Sequence, residues 1–543
     1  MSNKRLLLLA LITVFVGGLL RLVALNKVPL DLSNDEISIA YDAYSVARTG
    51  RDEHNHFLPI SFQSHNTYKA PLYAYILAPL TLFLTNTAQT ARLPSAIAGI
   101  LTILVVSKIA YILTKNKYIT LFSLLFMALS PWHIYTSRMA LEANLALLFL
   151  SASILGLLKT IENADWKWGT VGVVSGVMSM YGYHTEWALF PMIMLGVGLV
   201  IWSKNKRKVY LFMVILALVL AFPLIHDFIS ELGTHARANT EMIWDHPTIA
   251  EVLKNSTFSL VTKIEVLGNA IINNYFDYLS LSYLFFNGLS LFASNVFNPG
   301  LFLAPLLPMF IVGMFKINNY VEKKYVRFFW FWFMASPLIP ALTLGGTNMV
   351  RNLVSVVPYT ILVAVGTVFF WKSPIIKDWG RIVWVILMVI YFGSFGITYY
   401  YHLPIHDGVG VQEGYRQISV WIQNNYQKYH EIVVDPRFGE ANQLQGVPHL
   451  YLAYFTHLDP KKILERRDTN YGLFFDKYTI HNIDWKNETI SKNNLYVVPV
   501  SNLPPTSIKN MEVVKSFYLP DGKEQFRLYV VGTQKLPHII EGV

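Results

Sequence analysis

The chain of 543 residues contains no cysteine. Disulfides and thiolate chemistry are therefore excluded, and the redox state of its compartment cannot be read from thiol usage. Charge is scarce as well. Only 14% of the residues are Asp, Glu, Lys or Arg, where a soluble globular chain carries about a quarter. No repeat or low-complexity tract interrupts it. What fills the space instead is apolar: 53% of residues are hydrophobic and the mean hydropathy is +0.39, the composition of a polytopic membrane protein. The net charge of +10 invites a nucleic-acid reading. In a membrane protein, however, basic residues gather beside the spans on the cytoplasmic side, so nucleic acid is not an expected partner.

Apolar segments of spanning length fall at about 6–25, 93–113, 119–135, 143–160, 169–185, 187–202, 209–225, 299–315, 328–345, 352–371 and 381–400. Each approaches the roughly 20 residues that a helix needs to cross the hydrocarbon. The run 72–84 is shorter and carries Pro79; such segments are more often interfacial or re-entrant. With that run left out of the membrane and the N-terminus cytoplasmic, the inside loops hold Lys4 and Arg5; Lys115 and Lys117; Lys167; Lys204, Lys206, Arg207 and Lys208; Lys316, Lys323, Lys324 and Arg327; Lys372, Lys377 and Arg381, so that every strongly basic short loop lies inside. Counting it as a span would invert every later loop and break the positive-inside rule. The expectation is eleven spans, the first a retained one with no small-residue cleavage site after it.

Three large pieces then face the far side: 26–92, 226–298 and 402–543. The last is charged, Asn-rich and no longer continuously apolar. Its β-type runs at 431–435, 494–500 and 526–532 alternate with helix-like stretches at 411–426 and 459–467, which predicts a small α/β domain. The expected organisation is a membrane domain over 1–401 and an extracytoplasmic α/β domain over 402–543, in a multi-pass protein of the cell membrane.

The outer boundary is where the chemistry-bearing residues gather. Asp35 and Glu36 lie about ten residues past the first span, Lys69 begins the short helix, and Arg138 and Glu142 stand where the next outer loop returns to the membrane. Two separated acids and several cations suit sugar transfer from a lipid phosphate. An acceptor hydroxyl needs a carboxylate to take its proton, worth roughly 10²–10⁴-fold. A leaving phosphate needs fixed cations, each commonly worth about 10²–10³-fold.

The motifs DE (35–36), YKAPLY (68–73), ARLPSAIAG (91–99), SPWHIYTSRMALEAN (130–144) and RNLVSVVPY (351–359) resemble the GT-C glycosyltransferases, in particular the bacterial branch related to protein O-mannosyltransferases and lipid A aminoarabinose transferases. The resemblance covers about residues 1–400. It implies a membrane helical bundle with interfacial helices in the first outer loop, a polyprenyl-phosphate sugar donor, an extracytoplasmic acceptor, and transfer with inversion. It also implies that Asp35 is the catalytic-site acid, that Lys69 contacts the donor phosphate, that Glu142 is the second acid (where many relatives carry Asp), and that Arg351 is the family's late arginine. One departure stands out: the aminoarabinose branch has an arginine three residues after the first acid, and here that residue is Ser38. A phosphate partner must come from elsewhere, and the aminoarabinose assignment is weakened.

Blander readings accompany these. Glu36 serves equally as a helix cap, and Arg138 with Glu142 as a surface i,i+4 pair worth a few tenths of a kcal/mol. Lys69 and Arg351 read equally as anchors at helix ends, and Arg21 as a snorkelling residue. Residues 52–56 (DEHNH) with His65 leave a divalent metal open as a cofactor, although their spacing is no recognised zinc pattern. The aromatics of FFWFWF (328–333) fit an interface belt. The sequons at Asn255 and Asn487 fall on outer pieces and say little more. A transporter or flippase of lipid-linked sugars is the alternative function; it usually shows ionisable groups near mid-membrane or internal repeats. A non-catalytic scaffold for the C-terminal domain is a third.

Overall fold

The computed structural model describes residues 2–64, 67–163, 165–201, 207–230, 241–289, 291, 298–406, 412–438, 444–508 and 510–531. The chain forms two compact units. The first is Met1–Leu25, Leu58–Leu77 and Ala91–Tyr401; the second is Asn26–Phe57, Ala78–Thr90 and His402–Val543.

The first unit is helical. Helices occupy all eleven of the expected apolar segments, among them Asn3–Leu22, Ala88–Thr114, Glu142–Asn163, Arg207–Ile229, Val356–Lys372 and Asp378–Ile397. Among the described residues, six helices are long and apolar enough to cross a membrane, and seven if the bent pair Lys117–Leu129 and Pro131–Ser137 is one span. The remainder are shorter. Leu307–Tyr320 has 14 residues and Lys323–Ala335 has 13; at about 1.5 Å per residue each covers roughly 20 Å. The run with Pro79 is a 12-residue helix, Leu72–Phe83.

Small residues let these helices approach backbone to backbone, as membrane bundles require. A Cβ on Gly156 would stand 2.7 Å from the backbone nitrogen of Gly172, and one on Gly366 would collide with the carbonyl of Met309. Only glycine is accommodated at either crossing. The aromatic run 328–333 departs from the belt expected of it. Phe328, Phe329, Trp332 and Phe333 are buried, and Phe333 packs on Tyr359 with ring centroids 5.3 Å apart. The helical period turns four of the six rings inward, so they are core residues.

The second unit holds a seven-stranded mixed sheet. Its order is Met511–Tyr518, Glu524–Val531, Leu495–Pro499, Ile432–Val434, Tyr478–Ile480, Gly472–Phe475 and Arg467–Thr469. Ile432–Val434 pairs in parallel with both of its neighbours, and all other pairings are antiparallel. The central strands are apolar runs buried throughout, whereas the edge strand Arg467–Thr469 is exposed throughout. This is the pattern of parallel strands covered on both faces. Helices Tyr415–Asn425 and Pro448–Phe455 accompany the sheet. The first-loop helix Asn34–Thr49 belongs to this same unit.

Candidate active site

Asp35 and Glu36 open the helix Asn34–Thr49, and the two acids have different surroundings. Ser33 is the N-cap. Its hydroxyl accepts from the Glu36 amide at 3.4 Å, while Glu36 Oε2 accepts from the Ser33 amide at 3.0 Å. This is a reciprocal capping box, which satisfies two backbone donors that a helix start leaves unpaired. Glu36 is fully buried in that role, whereas Asp35 beside it is exposed. Both carboxylates also sit favourably at the positive end of the helix dipole. Behind the helix, Gly50 closes it in the left-handed region at φ +70°.

The return segment after this helix is held by ionic contacts. The Glu53 amide donates to Asp42 Oδ1 at 3.0 Å. The Glu53 carboxylate accepts from His449 Nε2 at 3.1 Å and lies 3.5 Å from Arg466. Burial pushes the Glu53 carboxyl up, but the His449 hydrogen bond, followed by the charges of His449, Arg466 and His54, outweighs it and holds the group down at about 2. Burial likewise keeps His54 below the usual imidazole range. His56 pairs with Asp52 at 3.0 Å. Among the described residues, no group of three or more His, Cys, Asp or Glu side chains is arranged to hold a metal ion. The 52–56 stretch forms no such group among the described residues, and His65 lies outside them.

In the first unit, Lys69 ends a short hairpin in which Phe62–Ser64 pairs with Thr67–Lys69, and it is 3% exposed. Arg138 caps the helix Pro131–Ser137 and is fully buried. Its guanidinium donates to the carbonyls of Leu20 at 2.9 Å, Val23 at 2.8 Å and Ala24 at 3.3 Å. It also stands 5.0 Å from the centroid of the Tyr400 ring. Those carbonyls end the first helix, so the cation sits at its negative pole. Arg138 is thus buried rather than at the surface, and Glu142 is half-buried at the first position of Glu142–Asn163.

Arg21 is not a snorkelling residue either. It is fully buried, donating to the carbonyls of Gly17 at 2.8 Å, Ala128 at 3.1 Å and Met127 at 3.1 Å. Its Nη2 also lies 2.7 Å from His133 Nδ1. Arg21 and Gly17 form the buried face of the first helix, and no path to a headgroup layer is needed for a guanidinium that finds carbonyls within reach.

Arg351 pairs with Glu241 at 3.1 Å and donates to the Leu344 carbonyl at 2.6 Å. Both members of the pair line a cavity of about 200 Å³ walled by Tyr183, Trp187, Phe228, Met242 and Ile339. Glu241 was not singled out by its sequence context; 110 positions separate it from Arg351, and no local pattern marks such a pair.

The structure places Asp35 and Glu36 in one compact unit and Lys69, Arg138, Glu142 and Arg351 in the other. Residues 68–226 match the sequence model of the dolichyl-phosphate-mannose-protein mannosyltransferase family. No curated protein sequence matches the chain. In structure the chain is similar to ArnT from Cupriavidus metallidurans bound to undecaprenyl phosphate, at 13% identity and a TM-score of 0.55, covering 98% of this chain and 100% of that one. It is likewise similar to the apo form of that protein, at 12% identity and a TM-score of 0.53, covering 96% and 99%. Residues 68–226 are thus similar to that mannosyltransferase family, and the chain shares the fold of the ArnT structures. The likeness of fold covers nearly the whole chain, whereas the likeness of sequence is confined to residues 68–226. The matched residues of the mannosyltransferase model include Lys69, Arg138 and Glu142, but neither Asp35 nor Arg351.

Proposed function

We propose that this chain is a GT-C glycosyltransferase that moves a sugar from a polyprenyl-phosphate donor to an acceptor outside the cytoplasm, with inversion. The observation that carries the reading is the match of residues 68–226 to a family of polyprenyl-type donor enzymes, on a chain whose fold is that of a protein seen with undecaprenyl phosphate. In the proposed step the acceptor hydroxyl oxygen attacks the anomeric carbon as the bond to the phosphate oxygen breaks. The electron pair leaves with the polyprenyl phosphate, and the hydroxyl proton passes to Asp35. Asp35 suits this task because it is exposed at its helix start, whereas Glu36 is buried in the capping box. Lys69 offers a largely desolvated cation for the phosphate, where charge acts most strongly. Glu142 orients the acceptor as the second acid, and Arg351 contributes near the aromatic cavity. Arg138 is assigned a supporting part, since its donors already meet three carbonyls.

The reading includes eleven spans, a cytoplasmic N-terminus, a membrane domain over 1–401 and an extracytoplasmic domain over 402–543. The positive-inside distribution of lysine and arginine supports that orientation. The test is purified protein in detergent or liposomes with a panel of polyprenyl-phosphate sugars, scoring release of polyprenyl phosphate. Release from one member of the panel is the expected result. Absence of release across the panel, together with movement of an intact lipid-linked sugar between leaflets, would replace the enzyme with the flippase.

A further inference from the structure

The helix that carries Asp35 is built into the same compact unit as the C-terminal chain, and its holding contacts come from residues some 400 positions away. Just before the helix, Arg416 Nε lies 3.4 Å from Asp31 Oδ2, which is fully buried. The Tyr451 hydroxyl donates to the carbonyl of Leu32, the residue before the Ser33 cap. Along the helix, the Tyr44 hydroxyl donates to the Leu458 carbonyl at 3.1 Å. After the helix, the chain folds back so that Glu53 meets Asp42, and there His449 and Arg466 grip it. Arg466 Nη1 donates to the Glu53 carbonyl at 2.8 Å in addition to facing its carboxylate. One short helix, Pro448–Phe455, supplies both His449 and Tyr451.

Buried contacts of this kind fix geometry more than they add stability. A desolvated carboxylate held by a histidine and an arginine has few alternative positions of low energy. A surface loop that merely joined two spans would not need them, since connecting segments ordinarily run over the surface and stay mobile. Here the loop is anchored before, along and after the helix whose first turn presents Asp35. We infer that the C-terminal chain is a positioning element for Asp35, with Tyr451 fixing the start of the Asp35 helix and the His449–Glu53–Arg466 cluster fixing its return. This rests on the reading of Asp35 as the base. Misplacement of a reacting group by about 1 Å costs up to roughly 100-fold in rate, so a contact that touches no substrate acts on turnover through the helix.

The experiment uses the full-length protein with Tyr451→Phe and Glu53→Gln, each near-isosteric, and Tyr471→Ser at an exposed position as a control. Hydrogen exchange of the 34–57 peptides and steady-state turnover are both measured. Faster exchange confined to 34–57, a fall in kcat of up to about 100-fold and an unchanged donor KM are expected for Tyr451→Phe and Glu53→Gln, with no change for the control. In the Asp35→Asn background the same substitutions should lower the residual turnover no further. Unchanged exchange in 34–57 overturns the positioning role, as does an equal loss of turnover in the Asp35→Asn background. If Asp35→Asn alone leaves turnover intact, the base assignment falls by itself, and the brace is then judged by the exchange of 34–57 alone.

Discussion

Arg138 Nη1 lies 2.8 Å from the carbonyl oxygen of Val23, the residue that closes the first helix. A guanidinium with three carbonyls and an aromatic face around it is a structural clamp, and its substitution tests stability before it tests chemistry. Arg138→Ala should lower the stability of the folded protein by at least about 2 kcal/mol, since hydrogen bonds from charged donors contribute about 1.5–3 kcal/mol each. Arg138→Lys should recover little of this, because an ammonium cannot reproduce the planar fork. The readout is the thermal midpoint in detergent beside donor affinity per folded molecule. An unchanged midpoint with weakened donor binding would return Arg138 to the phosphate.

Glu36 divides the two acidic roles cleanly. Glu36→Gln should keep turnover within a few-fold of the parent, because glutamine closes a capping box as glutamate does. Ser33→Ala, which removes the other half of the box, should cost about 1 kcal/mol of helix stability. A dead Glu36→Gln variant that folds normally would make Glu36 a chemical participant after all.

For Asp35 the expected loss is far larger. Asp35→Asn keeps the shape of the side chain and its place in the first turn but accepts no proton. Turnover should fall by at least the roughly 10²-fold typical of a lost general base, with donor affinity little changed. Glu142→Gln should be the milder variant. The reverse ranking in single-turnover measurements would exchange the two roles.

Lys69→Ala should weaken binding of a polyprenyl-phosphate donor by removing a largely buried cation, and Lys69→Arg should recover part of the affinity. Direct binding measured with polyprenyl phosphate alone separates this from effects on the sugar. Equal affinity in parent and alanine variant would take Lys69 out of the site.

Because the chain has no cysteine, orientation is open to single-cysteine labelling without background. Asn319→Cys should react with an impermeant reagent only from the cytoplasmic side, and Tyr471→Cys only from the outer side. Labelling of both from one side would refute the eleven-span topology.

How far the sequence revealed this depended on the range of each interaction. Helices at all eleven apolar segments were legible, because burial in lipid or protein demands long apolar runs wherever the partner lies. So was the α/β character of the C-terminal piece, where short β-branched runs became the buried central strands Ile432–Val434 and Leu495–Pro499. Composition says nothing of which way a ring turns, and the burial of Phe328, Phe329, Trp332 and Phe333 is set by tertiary packing, Phe333 against Tyr359 being one such contact. The capping role of Glu36 was half legible, since Ser33 stands three residues before it. The partners of Arg21, Arg351 and Glu53 were not legible at all. Met127, Ala128 and His133 for Arg21, Glu241 for Arg351, and His449 and Arg466 for Glu53 all lie a hundred positions or more away, where a single chain offers no periodicity to read.

Arg21 carries a consequence for the order in which the protein is made. Its acceptors are the carbonyls of Met127 and Ala128, and it also touches His133; these lie 106, 107 and 112 positions further along. At about 5–20 residues per second, the first helix leaves the ribosome with its arginine roughly 5–20 s before those partners exist. Until then only the helix's own Gly17 carbonyl is at hand. The first span is therefore a late lodger in its own bundle, waiting at the insertion machinery or at the bilayer edge until the bent pair 117–137 arrives to receive it.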